Sequence, residues 1–543
     1  MEAFNMTSKL SAQASPCRLA DLVQGVLADN SLPDDCANIL VSGIATDSRN
    51  VIAGDLFIAL NGLTVDGRNY ISDAIEQGAV AVLAETEETF TVVKQQAVSI
   101  ISLQNLTQNL SEIAGRFYNS PTEKLTVIGV TGTNGKTSCS HLIASLAAAQ
   151  GHQSGLIGTL GYGRYQHEAT ELQQTGFTTP DAVQLQACMQ DLHEDDCDIV
   201  AIEVSSHALA QHRVDAINFD IAVLTNLSHD HLDFHKDIAS YAAAKRRLFS
   251  FAGINAAVIN ADDEFGERLA QELQAHNKVF TYSTHKTQAD VFASNTRYSL
   301  NSISSDVVSP WGSATITIPL IGEFNLSNAL AALTAMLAAG GNFAALVKAF
   351  SHVSAVKGRM EIVGDAAEKL TANKMVVVDY AHTPQALEMA LAALRPHTKG
   401  QLWCVFGCGG DRDNDKRAAM GRIAKDLADC VVITSDNPRS EPPEQIIDDV
   451  LLGVDDMQYV NVEPDRAAAI TFAIKQAAAG DLILVAGKGH EQFQIVGDLT
   501  LPFSDVDVVR QCLFQGQGQA QVQDQAQNAS ASSFQDAHQD CES

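Results

Sequence analysis

At 543 residues, with 46% apolar and 18% charged side chains, the chain has the composition of a folded protein too long for one core. Its length predicts about three or four domains. A net charge of −30 argues against a general binder of nucleic acid or anionic membrane, both of which want a basic surface, but leaves room for small anionic substrates held by local Arg and Lys. The ten cysteines are scattered without a C-x-x-C, Cys404 and Cys408 being the closest pair, and read as reduced thiols of a cytosolic protein. No basic region followed by an apolar run marks a secretory leader. The longest apolar stretch, residues 329–339, suits a buried helix and is too short to cross a bilayer.

In chain order, residues 21–85 show short apolar runs, a helical stretch at Ile71–Gln77 and a buried strand at 78–83, which together predict a small mixed α/β unit. Phe117-Tyr-Asn-Ser-Pro121 reads as a linker. A strand at 125–130 and a helix at 141–150 follow, then strands at 198–202, 221–225 and 256–260, the alternation of a mostly parallel sheet. A third α/β region begins near Gly358, with strands at 375–378, 402–406, 430–434 and 482–485. Beyond about residue 515 the chain is rich in Gln, Ala and Ser without apolar periodicity and is expected to be disordered. The expected domains are therefore residues 1–121, 122–352 and 353–512, with a tail at 513–543.

Between the strand at 125–130 and its helix stands Thr131-Gly132-Thr133-Asn134-Gly135-Lys136-Thr137. Strand, glycine-containing turn, Lys-Thr and helix make a backbone cradle for phosphate, because converging N–H groups and the helix N-terminus both favour anionic oxygens. Lys136 would reach the β- and γ-phosphates, and the Thr137 hydroxyl would ligate Mg²⁺. The spacing departs from G-x-x-x-x-G-K-[ST]: Val130 stands where the first glycine belongs, and Gly129 is one residue early. Glu203 ends another expected strand, where a carboxylate near Thr137 can hold Mg²⁺. The run His229-x-His231-x-Asp233-x-His235 has the look of zinc ligands, but a phosphate loop about ninety residues upstream favours a Mg²⁺–nucleotide site.

These segments occur in the order found in one family. Thr131 to Thr137, Glu203-Val-Ser-Ser-His207, Asn226 with Asp230-His231, Gly322-Glu-Phe-Asn-Leu-Ser-Asn328, Gly358-Arg-Met-Glu361 and Asp379-Tyr-Ala-His-Thr-Pro384 together resemble the Mur ligases. Cys404-Val-Phe-Gly-Cys-Gly-Gly-Asp-Arg412, Asp436-Asn-Pro-Arg439 and Gly487-Lys-Gly-His-Glu491 extend the resemblance. So do Asp47-Ser-Arg49, Gly54-Asp-Leu-Phe57 and Asp66-Gly-Arg68, and the likeness runs over roughly residues 40–510.

The resemblance implies an α/β fold of three domains: an N-terminal mixed α/β uridine-binding domain, a central P-loop parallel-sheet ATPase domain and a C-terminal Rossmann-like α/β domain. It implies an ATP-dependent amide ligase of peptidoglycan synthesis, requiring Mg²⁺. ATP would phosphorylate the D-Glu side-chain carboxylate of UDP-MurNAc-L-Ala-D-Glu, and an amino-acid amine would attack the acyl phosphate. Lys136, Glu203, His231 and Lys245 take catalytic roles, with Thr137, Glu203, His231 and Lys245 around the metal. Lys245 matches the lysine that family members carry as a carbamate. Asn325 and Asn328 are implied near adenine, with Arg359 and Asp379 closing over the nucleotide, although Asn325 alone also reads as a helix cap. Thr46, Ser48, Thr178, Thr179, Ser205, Gln211 and Arg213 are implied for the UDP-sugar dipeptide, with Phe177 beside the threonine pair. Arg417, Asp436, Asn437, Pro438, Arg439, Gly487 and Glu491 are implied for the added amino acid. An Arg at 439 suits the distal carboxylate of meso-diaminopimelate, and Glu491 its distal ammonium. Lys357 and Ala418 replace prolines usual in the family, where only loop stiffness is expected to change.

The alternatives are a lysine-adding sibling, a folylpolyglutamate-synthetase-like ligase and, from another class, a nucleotide switch. The Asp-Asn-Pro-Arg segment weighs against the first two, and the lack of Asn-Lys-x-Asp against the third. The expected protein is a cytoplasmic monomer that neither inserts into a membrane nor binds nucleic acid.

Overall fold

The computed structural model describes residues 15–513 except 28–31, 63–64, 89, 167–170, 229, 275–277, 300, 364–373 and 413. The expected Gln-rich tail, apart from its first residue, lies outside the described residues, as do His229 and the side chain of Asp233 from the zinc-like run.

Three main sheets follow one another along the chain. The N-terminal sheet has the spatial order Gly43–Ala45, Asp55–Ala59, Ala81–Glu85, Val98–Leu103, Thr91–Gln95, parallel except for the last pair. Helix Leu106–Phe117 covers it, burying Leu106, Leu110, Ile113 and Phe117 at helical spacing. The stretch read as a polar linker behaves otherwise. Phe117, Tyr118 and Pro121 are buried, and the first two share a cluster with Ala182, Val183 and Ala187 of helix Ala182–Glu194. Two bulky rings end an amphipathic helix there, so the joint is packed against the next unit.

The central sheet has ten strands, and its parallel heart runs Ser154–Gly158, Ile199–Glu203, Thr126–Thr131, Ile221–Leu224, Ala256–Asn260, Val279–Ser283. The first of these in sequence, Thr126–Thr131, lies between Ile199–Glu203 and Ile221–Leu224: the chain builds the sheet on one side of it first and then crosses to the other. Such a switch point opens a crevice at the carboxyl ends of the strands. The loop 132–135 leaves the sheet at this crevice, between Glu203 on one side and Thr225-Asn226 on the other. Helix Glu323–Ala338 is apolar almost all round, with Leu326, Ala329, Leu330, Leu333 and Met336 buried. It packs on the loop's own helix Lys136–Ala149 in the largest core cluster. The out-of-place Gly129 has a packing reason: a Cβ there would come within 2.7 Å of the Phe219 ring. It clears space inside the strand and takes no part in the phosphate turn.

The C-terminal sheet runs Glu361–Val363, Met375–Asp379, Leu482–Ala486, Leu402–Phe406, Cys430–Ile433, Val460–Val462, parallel except at its first strand. Its carboxyl edge carries Asp379, Gly407, Thr434 and Gly487, at or just after the ends of four parallel strands, and Gly358-Arg-Met-Glu361 enters the antiparallel strand from the same edge. Nine described cysteines are free thiols, seven of them buried. Among the described residues no helix is long and apolar enough to cross a membrane.

Candidate active site

The loop after Thr131 turns through Gly132 at φ +154° and Gly135 at φ +85°. A Cβ at Gly132 would run into the Thr225 hydroxyl, and one at Gly135 would come within 2.5 Å of Asn328 Oδ1. Positive φ and close contact together demand glycine at both positions. The loop is pinned from the neighbouring strand end: Asn134 N–H donates to Asn226 Oδ1 at 2.9 Å, and Asn226 Nδ2 donates to Asn134 O at 3.1 Å. Thr133 Oγ1 accepts the Ser228 N–H at 2.9 Å and lies 3.1 Å from the Tyr241 hydroxyl. Lys136 is folded back, its ammonium donating to Gly132 O at 2.9 Å and Thr133 O at 2.8 Å. Desolvation lowers its pKa, while Glu203 and Asp230 oppose the shift.

Glu203 is almost wholly buried, and three groups orient its carboxylate. Thr137 Oγ1 donates to Oε2 at 2.9 Å, Thr159 N–H to Oε1 at 2.8 Å, and Thr159 Oγ1 to Oε2 at 3.1 Å. Thr159 escapes sequence reasoning because it lies in the two-residue turn between the antiparallel strands Ser154–Gly158 and Gly161–Arg164, with no motif around it.

Lys245 is also buried, on helix Ile238–Arg246, donating to Gly132 O at 2.7 Å with its ammonium 4.4 Å from the Tyr241 ring centroid. Burial, then the neighbouring Lys136 charge, drive its pKa well below the ordinary lysine value, and Asp230 only partly offsets them. His231, at φ +54°, pairs with Asp230 at 3.5 Å and sets its ring edge-on to His207 at 5.0 Å.

A cavity of about 600 Å³ spans the loop and the C-terminal domain, lined by Lys136, Thr137, Glu203 and His231 on one side and Arg359 and Asp379 on the other. Asn328 lines it too, whereas Asn325 lies buried just behind, its Nδ2 donating to Ile321 O at 2.8 Å. Gly322, not Asn325, stands at the N-cap of that helix. Asp379 accepts the N–H groups of Met360 at 2.7 Å and Ala381 at 2.9 Å, and burial raises its pKa against the opposing Arg359 charge. Arg359 stacks 4.3 Å over the Tyr380 ring, with a buried Nε that has no partner among the described residues.

The residues expected for the nucleotide-sugar fall into two groups. Thr178 Oγ1 is 3.1 Å from Thr159 Oγ1; Thr179 Oγ1 donates to Glu203 O at 2.8 Å and accepts the Ser205 N–H at 3.0 Å. Arg213 donates to Thr179 O at 3.0 Å and to Gln211, and lies 5.4 Å over the exposed Phe177 ring. Thr46 and Ser48 follow strand Gly43–Ala45 in the N-terminal sheet, and no hydrogen bond among the described residues joins them to this cluster.

In the C-terminal sheet, Asp436, Asn437, Pro438 and Arg439 come against Gly487 and Glu491. Asn437 Nδ2 donates to Glu491 Oε2 at 2.8 Å. Arg439 uses Nη1 on Gly410 O at 2.7 Å, and its Nε and Nη2 make no protein hydrogen bond among the described residues. Arg417 is different: its terminal nitrogens hold Glu441 at 2.9 Å, Asp449 at 2.8 Å and Gly409 O at 3.4 Å. Fully buried, it ties down the loop beneath Arg439 and presents no free fork to a ligand. Two residues outside the expected set hold this region, Lys488 and Arg466. The first was visible inside Gly487-Lys-Gly-His-Glu491; the second had no signal.

The sequence matches the Mur ligase family catalytic domain over residues 40–118, the Mur ligase middle domain over 130–336 and the Mur ligase glutamate ligase domain over 358–489. The chain belongs to the Mur ligase family. Like the family, it is an ATP-dependent amide ligase with three α/β domains. It is similar to the UDP-N-acetylmuramoyl-L-alanyl-D-glutamate--2,6-diaminopimelate ligase of Coxiella burnetii, 43% identical over 481 residues that cover 88% of this chain and 96% of the relative. The protein of that name from Pseudomonas aeruginosa is 44% identical over 476 residues, covering 88% and 96%. A solved structure of a ligase of the same name superposes with TM-score 0.67 at 36% identity, covering 93% of this chain and all of that one. The fold also matches MurF ligase from Thermotoga maritima in complex with ADP, at TM-score 0.59 and 18% identity, over 87% of this chain and 96% of that one.

Proposed function

We propose that this Mur ligase uses ATP to join meso-2,6-diaminopimelate to the D-Glu side-chain carboxylate of UDP-MurNAc-L-Ala-D-Glu. The observation that carries the reading is the meeting of Arg439 with Asp436 and Glu491 at one edge of the C-terminal sheet. Diaminopimelate differs from lysine by a distal carboxylate beside the distal ammonium. Arg439, with Nε and Nη2 unspent, matches that carboxylate, and Glu491 matches the ammonium. The names of the Coxiella and Pseudomonas relatives support the same substrate.

The residues fit a magnesium ion. Thr137 offers a hydroxyl beside the oriented Glu203 carboxylate, and His231 stands next to Asp230 on the same cavity. Lys245 is held toward the neutral amine, the form that takes up CO₂ to become an anionic carbamate. When bound, Mg²⁺ supplies charge neutralisation on the transferring phosphoryl group. The rest falls to the chain. A nucleotide draws Lys136 off the loop carbonyls, while loop N–H groups and the helix N-terminus hold the phosphates in line. Arg359 and Asp379 bring the C-terminal domain against the nucleotide, where water is excluded. The D-Glu oxygen attacks the γ-phosphorus and ADP leaves; the neutral amine then attacks the acyl carbon, phosphate departs with the C–O electron pair, and the proton lost by the nitrogen goes to the departing phosphate. Thr178, Thr179, Ser205 and Arg213 orient the dipeptide, with Thr46 and Ser48 toward the uridine end. The enzyme acts as a cytoplasmic monomer in this reading.

Phosphate release from ATP with UDP-MurNAc-L-Ala-D-Glu is the test, run with diaminopimelate, lysine and glutamate in turn. Release with diaminopimelate alone is expected. Release with lysine instead would make this the lysine-adding sibling, and release with none of them would refute the reading.

A further inference from the structure

The Lys488 side chain has no solvent contact, yet its ammonium sits in the pocket proposed to receive another ammonium. Its partners are Glu491 Oε2 at 2.8 Å, Asn437 Oδ1 at 3.0 Å and Asp436 Oδ1 at 3.5 Å. Three N–H donors meet three oxygens, so the group is fully satisfied. Two consequences follow from chemistry alone. The Asn437 amide can point only one way, because Oδ1 must face the Lys488 ammonium and the Ile495 N–H at 3.0 Å, which turns Nδ2 to Glu491. Both bonds to Glu491 then fall on Oε2, leaving Oε1 for an incoming cation. Around the ammonium subsite Asp436 and Glu491 bring two negative charges and Lys488 one positive, leaving one net negative charge for the distal ammonium, while Arg439 alongside supplies the positive charge for the distal carboxylate.

The frame around this cluster is rigid. Arg466, buried with Asp505, donates to Ser435 O at 3.2 Å and Ala486 O at 2.9 Å, the residues just before Asp436 and Gly487. Changes at Lys488 are therefore felt through its side-chain partners, while the backbone of both motifs stays anchored.

We infer that Lys488 is the positioning and specificity residue of the amino-acid pocket: it fixes the Asn437 amide, presents Glu491 Oε1, and sets the pocket charge to admit one distal ammonium. This rests on the diaminopimelate reading above. Lys488→Met is the variant, measured against the wild type in the phosphate-release assay and checked for folding by near-UV circular dichroism. The KM for diaminopimelate is expected to rise about 20-fold, with kcat within about threefold and the KM for ATP unchanged. Glu491→Gln is expected to cost about fivefold less in the Lys488→Met background than in the wild type, because the two act as one unit. A merely structural lysine would give equal costs in both backgrounds, and that result overturns the inference; so does a loss confined to kcat. If Lys488→Met does not fold, Lys488→Gln, which keeps a donor but not the charge, carries the same expectations and the same refutations. A wild type that ignores diaminopimelate overturns the substrate reading and this inference with it. A wild type that uses it, with an unchanged KM in the variant, overturns the role of Lys488 alone.

Discussion

Replacing Arg466 with methionine would remove the positive half of an ion pair in which neither side chain touches solvent. Arg466 Nε and Nη2 donate to the two Asp505 oxygens at 2.7 Å each, and two further bonds reach Ser435 O and Ala486 O. The substitution strands the Asp505 carboxylate without a counter-charge, which typically costs about 3–5 kcal/mol. For a unit of this size each kcal/mol moves the melting temperature by about 2–4 °C, so the C-terminal domain should melt roughly 6–20 °C lower. Arg466→Met/Asp505→Leu should recover most of the loss, because it removes the buried charge altogether. Urea unfolding followed through Trp403, buried in the C-terminal sheet, in a Trp311→Phe background reads this domain alone. A single variant within about 1 kcal/mol of the wild type, or a double variant no more stable than the single, would refute the reasoning.

Lys245→Ala should lose ligase activity, and added bicarbonate should not restore it; full phosphate release by that variant would remove Lys245 from the mechanism. Arg439→Ala, stripping the guanidinium from the distal carboxylate, should raise the KM for diaminopimelate roughly 10- to 100-fold, and an unchanged KM would contradict it. His141 and His490 are pulled down to about 4 by burial, helped at His490 by the Arg359 charge and opposed at His141 by its bond to Thr137 O. Their unfolded value is about 6.5, so between there and about 4 the unfolded chain binds more protons and stability falls as pH falls. His141→Gln/His490→Gln should flatten that part of the urea-midpoint profile and leave it unaltered above about pH 7; an equally steep acid limb in both proteins would count against it.

Much of the fold was legible along the chain because parallel strands buried on both faces read as short apolar runs. The strands around 125–130, 256–260 and 402–406 lie within a residue of expectation. Where reading failed, a long-range neighbour was responsible. Gly129 looked like a misplaced phosphate glycine, but its reason is the Phe219 ring ninety residues on. The segment around Phe117 looked like a linker because it ends in Asn119-Ser-Pro121, but helix Ala182–Glu194 buries its two aromatic rings. Arg417 was expected among the residues for the added amino acid, and Glu441 and Asp449 occupy its fork.

Within the sequence itself lay the phosphate loop, the order of the family's motifs and the Asp-Asn-Pro-Arg segment that nominates the amino acid, since each depends on residues close together in the chain. Tertiary structure alone decided that Thr159 and Thr137 share the Glu203 carboxylate, that Lys245 sits under Gly132, and that Lys488 ties Asp436, Asn437 and Glu491 together. Strand order brings those groups together across tens of residues, and burial then makes their charges matter; neither strand order nor burial depth is written in local spacing.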